Sequence, residues 1–359
     1  MFNSILLKKQ VYKVVGVMSG TSLDGIDLVC VHFTLGVPWK FSIEASETIA
    51  YATDWRYQLG GLHAESDEVV RDVNNRYTAY LGNVIKEFIA KHQLERIDAV
   101  CSHGHTVFHQ PERGITFQLG NLKKLAERVQ LTVVCDFRTQ DVARGGQGAP
   151  LVPIGDQLLF GNYDACLNLG GFANASLTDQ GVLVAYDLCA VNTVLNFLAQ
   201  KKGLEYDFGG ALAQKGKRID SLFEALESLD FYTQTPPKSL GIEWVHTVLF
   251  PILNKYDSHP VEDLLYTYSL HIGKQIGLCF GSGQQVLASG GGVKNDFLIY
   301  QIQKHTPAKI CIPDLEIIDF KEALIFGLLG VLRLREENNC LASVTGAPRD
   351  HSSGMIFHP

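Results

Sequence analysis

Apolar and polar positions fall in blocks along the chain. Tyr12 to Met18 is an apolar run, Ser19 to Gly25 a polar tip, and Ile26 to Phe33 a second apolar run. This pattern predicts two buried strands joined as a hairpin. Lys40 to Tyr51 reads as a third strand. From Ser66 to His92 the spacing becomes helical, with Val69, Val73, Tyr77, Leu81, Val84, Ile85, Phe88 and Ile89 on one face. Ile97 to Ser102 and Leu131 to Cys135 read as short buried strands.

The pattern then restarts. Ala165 to Leu177 is again strand, glycine turn, strand, and Val182 to Tyr186 is a third strand ending at Asp187. A helix starts at Val191, and a long one runs from Val261 to Cys279. Gln285 to Ala288 is a strand, and the glycine loop Ser289 to Asn295 opens another helix. Lys309 to Ile312 is a strand and Phe320 to Arg335 a helix, while residues 203–260 read as irregular. Each half thus has hairpin strands first and alternating helix and strand afterwards. Two α/β domains with a central cleft fit this duplication. The expected bounds are 1–160, with the tail 338–359 packing back on it, and 161–337.

The polar tip suits phosphate. Glycines let backbone approach a ligand, and N–H groups and hydroxyls converge on an anion. Asp24 is a candidate Mg²⁺ holder, because hard cations take oxygen ligands. The tip lacks the Gly-Lys-Ser/Thr ending of a Walker A loop, and it joins two strands instead of opening a helix. That arrangement belongs to the actin-like, sugar-kinase and Hsp70 group of ATPases. The alternative is an ordinary turn. Three histidines, His103, His105 and His109, follow a strand end and read as substrate contacts or, alternatively, zinc ligands. Arg138 suits a carboxylate or phosphate clamp, or a structural ion pair. Asp187 suits a general base or a helix N-cap. Two glycine hairpins (the second at Gly170 and Gly171) and the loop at Gly290, Gly291 and Gly292 suit a nucleotide. These residues point to an ATP-dependent phosphotransferase and leave its acceptor open.

Bulk properties narrow the class. The chain has 359 residues, enough for two cores, with 46% hydrophobic and 19% charged residues. A net charge of −7 argues against a nucleic-acid partner. The eight cysteines form no C-x-x-C pair, which fits free thiols in a reducing compartment. No basic segment precedes the short apolar run at the start, and Ala323 to Leu334 is too short to span a bilayer. A cytoplasmic location without membrane attachment is expected.

The chain resembles the anhydro-N-acetylmuramic acid kinase family in eight ordered segments. These are Gly16–Asp27, Ser102–Pro111, Asp136–Pro153, Asn168–Asn174, Pro236–Gly241, Ser289–Asn295, Glu322–Phe326 and Ser343–Asp350. The resemblance implies an actin-like fold, homodimerisation and a reaction. ATP and water open the 1,6-anhydro bridge of the sugar and phosphorylate O6, giving N-acetylmuramic acid 6-phosphate in cell-wall recycling. It implies that Ser19, Gly20, Thr21, Ser22, Leu23, Asp24 and Gly25 hold the ATP phosphates, with Mg²⁺. Gly290, Gly291, Gly292 and Asn295 would lie near the nucleotide, with Gly170, Gly171 and Asn192. Thr106, Arg138 and Glu322 would contact the sugar, and Asp187 would deprotonate the attacking water. The chain departs from the family at Cys189 and Ala190, where glycine and proline are usual before the retained Asn192. His105 stands for a frequent Gln, and Leu240 for a Thr. These departures leave two other outcomes open, a kinase for another sugar or a non-catalytic nucleotide or muropeptide sensor.

Overall fold

The computed structural model describes residues 9–20 and 23–359; the expected phosphate-loop residues Thr21 and Ser22 lie outside them. The chain divides into two compact units, Met1–Gly161 with Phe320–Pro359, and Asn162–Asp319.

The first unit holds a seven-stranded sheet. Strands β1 (Val11–Ser19), β2 (Gly25–Thr34) and β3 (Lys40–Ala50) form an antiparallel meander. Strands β4 (Ala99–Gln110) and β6 (Val133–Cys135) add in parallel on the other side of β1. The short β5 (Ile115–Leu119) folds back on the outer half of β4. The last strand, β12 (Met355–Phe357), closes the edge antiparallel to β6. Nearly every residue of β1 is buried, because both faces of the sheet are covered. Val15 and Val17 face the helix Asp67–Lys91 through Tyr77, Leu81 and Ile85. That helix begins at an N-cap, Ser66, whose side chain accepts from the Val69 N–H.

On the opposite face lies the helix Leu315–Leu334. A Cβ on Gly16 would collide with the carbonyl of Ala323, and one on Gly330 with the Cys101 sulfur. A Cβ on Gly327 would come into van der Waals contact with Val14, Val31 and Phe33. This close approach groups residues from 320 onward with the first sheet. The chain therefore re-enters this unit at Phe320, where the sequence pattern suggested about 338.

The second unit repeats the strand order. Strands β7 (Ala165–Leu169), β8 (Phe172–Asp179) and β9 (Val182–Ala190) form the meander. Strands β10 (Gln285–Ser289) and β11 (Lys309–Cys311) add in parallel beyond β7. Helices Asn192–Gln200, Val261–Gly277 and Asp296–His305 pack around this sheet through Val194, Leu198, Tyr268, Ile272 and Leu298.

Three expectations change in detail. The strand expected to end at Ser102 continues through the histidine motif to Gln110, because β5 supplies a partner for its outer half. The strand expected to stop before Asp187 runs to Ala190, and its helix starts at Asn192. Residues 203–260, expected to be irregular, contain a helix at Asp220–Glu227 and a continuous helical stretch made of Ile242–Trp244, a π-helical turn at Val245–Leu249 and Phe250–Asn254.

Candidate active site

In the first unit the hairpin tip begins where β1 ends. The Ser19 side chain is turned inward: its hydroxyl donates to the Gly104 carbonyl at 2.9 Å and accepts from the Tyr77 hydroxyl at 2.9 Å. The Tyr77 hydroxyl lies 2.6 Å from that of Tyr51. Ser19 therefore anchors the tip from below, and its side chain is already satisfied. Leu23 adopts a left-handed conformation at φ 61° with its N–H 3.4 Å from the Gly20 carbonyl, a tight return. Asp24 is exposed beyond it, and a Cβ on Gly25 would press against the Ile49 carbonyl of β3.

Beside the tip, Arg138 is fixed in an orientation. Its Nε donates to His103 Nε2 at 2.8 Å and one Nη to the Gly148 carbonyl at 2.6 Å. His103 Nδ1 in turn donates to the Gly104 carbonyl at 2.8 Å. Nε2 accepts here, so this imidazole is neutral. Burial, with the Arg138 charge beside it, holds its pKa well below the ordinary value. Burial also brings the Arg138 guanidinium down to about 10. The loop that receives Arg138 is itself held by Asp141, which accepts from the Gly148 N–H at 2.7 Å and the Thr345 hydroxyl at 2.8 Å.

Glu322 stands on the helix Leu315–Leu334, one turn before Phe326, whose ring lies 4.6 Å from that of His103. Its side chain reaches solvent. Desolvation by the surrounding protein nonetheless raises its carboxyl pKa, against the opposing pull of Arg138. Thr106 is half-buried on β4 opposite Gln118. The structure thus brings Arg138, Glu322, His103 and the base of the hairpin together in one unit.

The three histidines part company. His105 faces the Tyr77 ring, 6.2 Å away, and His109 lies 3.1 Å from the Thr116 hydroxyl. Among the described residues they form no shared metal cluster.

In the second unit Asp187 is half-buried on β9, opposite Asn174. Its Oδ2 accepts from the Ser239 hydroxyl at 3.0 Å and the Leu240 N–H at 2.8 Å, and its own N–H donates to the Lys238 carbonyl at 2.9 Å. Asp187 lies five residues before the next helix, so it caps nothing. Desolvation raises its pKa although both hydrogen bonds favour the ionised form. Leu240 acts here through its backbone, so the exchange of a hydroxyl for a leucine side chain leaves this contact in place.

The glycine loops of this unit meet at the end of β7. Gly290, at φ 84°, packs on Asn168 and Leu169, and Gly292 packs on Leu169. Asn192 donates to the Leu169 carbonyl at 3.3 Å, and its backbone N–H to the Gly170 carbonyl at 3.2 Å. Gly171 accepts from the N–H groups of Val191 and Thr193, and a Cβ on Gly291 would stand 3.9 Å from the Asn192 side-chain nitrogen. Asn295 is the N-cap of the helix Asp296–His305, accepting from the Leu298 N–H at 3.0 Å. Cys189 and Ala190 do not line this loop. Both are fully buried in the unit's core, and the Ala190 carbonyl accepts from Tyr268 at 3.0 Å. Sequence reasoning missed His103 as the orienter of Arg138, Asp141 as the anchor of its loop, and Ser239 as the partner of Asp187. All three stood inside motifs already singled out.

Two units with one repeated strand order, each opening on a glycine turn between antiparallel strands, and the sequence relatives together define an ATP-dependent carbohydrate kinase of the actin-like class. The family profile of anhydro-N-acetylmuramic acid kinase matches residues 12–359, and the chain belongs to that family. It is 34% identical to the enzyme of that name from Pseudomonas fluorescens, over 96% of this chain and 98% of the relative. It is 32% identical to that from Aliivibrio fischeri, over 96% and 99%. Among solved structures it is similar to the activator of the 2-hydroxyisocaproyl-CoA dehydratase from Clostridium difficile with bound ADPNP. That match has 14% identity, a TM-score of 0.46, and covers 90% of this chain and 96% of the other. A ROK family glucokinase from Streptomyces griseus matches at 12% identity and a TM-score of 0.41, covering 88% and 98%. Among the described residues no helix is long and apolar enough to cross a membrane.

Proposed function

We propose that the protein opens the 1,6-anhydro ring of anhydro-N-acetylmuramic acid and phosphorylates O6, forming N-acetylmuramic acid 6-phosphate and ADP in the recycling of cell-wall sugar. The observation that carries this reading is the Asp187 carboxylate, held by Ser239 and Leu240 and raised in pKa by its surroundings. A base so oriented takes a proton from water. The water oxygen bonds to the anomeric carbon, the bond from that carbon to O6 breaks, and O6 takes the γ-phosphoryl group as ADP leaves. Arg138, Glu322 and Thr106 contact the sugar. Ser19 to Gly25 hold the phosphates, without help from the Ser19 hydroxyl, which is already engaged. Gly170, Gly171, Asn192 and the loop Gly290 to Gly292, with Asn295 at its end, hold the nucleotide. Asp24 is exposed and offers the oxygen donors Mg²⁺ prefers; bound there, the ion would neutralise phosphate charge.

The test is mass spectrometry of a reaction containing protein, Mg²⁺, ATP and the anhydro sugar in ¹⁸O-water. A sugar phosphate with one ¹⁸O at the anomeric carbon is expected. Asp187→Asn should lower turnover about 10²- to 10⁴-fold and leave ATP affinity nearly unchanged. Unchanged sugar with the wild-type protein would overturn the assignment, and turnover in the mutant comparable to wild type would remove Asp187 from the reaction. We further propose a cytoplasmic homodimer; light scattering should give twice the chain mass of 39.6 kDa.

A further inference from the structure

Outside the residues assigned to phosphoryl transfer, three ionisable side chains of the first unit converge in its interior. Asp141 belongs to the helix Thr139–Ala143, and Cys340 and His351 face one another across an antiparallel bridge in the C-terminal tail. Their relative exposures are 0%, 2% and 6%. One donor atom from each lies within 4.8 Å of the other two.

The hydrogen bonding fixes what each atom can offer. His351 Nδ1 lies 3.2 Å from the Arg349 carbonyl, which can only accept, so Nδ1 carries the proton. Nε2 is buried, makes no hydrogen bond, and stands 3.4 Å from Asp141 Oδ1. In the neutral ring, a lone pair is thus aimed at a carboxylate oxygen away from water. Such a pairing is unfavourable unless positive charge sits between the two atoms. Histidines that bind metals through one nitrogen commonly donate the other N–H to a backbone carbonyl, the arrangement found here. The Asp141 oxygens divide their work: Oδ2 holds the Gly148 N–H, while Oδ1 accepts from the Thr345 hydroxyl and with its remaining lone pair faces His351. The thiol of Cys340 adds a soft donor to a nitrogen and an oxygen, a set that suits zinc over magnesium or calcium.

We propose that Asp141 Oδ1, Cys340 Sγ and His351 Nε2 form a binding site for one divalent cation of the zinc type, fastening the C-terminal tail to the loop that receives Arg138. On binding, Cys340 releases its thiol proton to solvent and the sulfur bonds to the metal, with no change of oxidation state. Tetrahedral zinc spaces such donors roughly 3.5 Å apart, so the cluster contracts by about 1 Å and a water takes the fourth position.

The experiment uses the full chain and the metal alone. Protein stripped with chelator is titrated with Zn²⁺ by calorimetry, and with Co²⁺ by absorption. One Zn²⁺ per chain, retained through gel filtration, and a thiolate-to-cobalt charge-transfer band are expected, with a rise in Tm on zinc addition. Cys340→Ser should abolish the band, and His351→Gln should weaken zinc binding at least about 100-fold. Absence of the band in the wild-type protein overturns the proposal even where a variant fails to fold. So does equal zinc retention by wild type and both variants.

Discussion

In the proposed role of Asp187 as general base, two opposing influences act on one carboxyl group. Burial raises its pKa, and the Ser239 hydroxyl and Leu240 N–H, which stabilise the anion, lower it. A general base works only when ionised, so kcat/KM falls as pH drops through this raised pKa, above the usual Asp value of about 3.9. Ser239→Ala removes a bond to the charged form and pushes the pKa further up. The acid limb of the pH profile should therefore move to higher pH, while the plateau above it changes by less than about tenfold. A limb that stays in place would show that another group titrates there. Ser239 itself was not legible as a site residue in the sequence. It stands 52 residues from Asp187, and only folding brings a short hydroxyl to the carboxylate. Asp187 was more visible, since an acidic residue ending an apolar run is unusual, but whether it capped a helix could be settled only by the position of Asn192.

Among the elements, the helix Leu315–Leu334 has the most demanding contact. Its small residues Ala323, Gly327 and Gly330 let its backbone lie directly on β1 and β4. Glu322 and Phe326 extend from the same helix, so the contact with Gly16 also sets where the carboxylate proposed to contact the sugar stands. Gly16→Ala places a methyl group against the Ala323 carbonyl and forces the helix outward. It should cost about 1–3 kcal/mol of stability, measured by denaturant unfolding, and raise the sugar KM more than the KM for ATP. An unaltered unfolding midpoint would mean that the contact relaxes freely. The strong strands and helices were readable because their apolar spacing persists: β1 and β2 are apolar for most of their length, and Tyr77, Leu81 and Phe88 keep a helical period. The missed strands, β5 and β12, are five and three residues long, and their exposed positions break the alternation. The first five residues of Leu315–Leu334 were missed for a similar reason, since Leu315 and Glu316 face solvent.

For the whole molecule, the duplicated strand order was legible from the restart of the pattern at Ala165, because a glycine turn between two apolar runs occurs once in each half. The return of the chain to its starting unit was less so. Nothing local in residues 320–337 states which sheet they cover; that depends on complementary small residues in β1 and β4, far away in sequence. The tail after Glu337 carries β12 and both Cys340 and His351, so it belongs to the first unit in full. Deleting residues 338–359 should therefore destabilise the first unit selectively. Hydrogen exchange should show lost protection in β6 and β4, with β7 to β11 unchanged. Uniform loss across both units would show that the two unfold together.

The discontinuity of the first unit also has a consequence for synthesis. On the ribosome, β1 to β6 emerge early, yet the helix that covers one face of their sheet and the strand that closes its edge come out last. The later segment, residues 162–319, has all its strands in one continuous piece and can fold while still tethered. The half of the protein made first would then be the half finished last, and its exposed sheet would need shielding throughout translation.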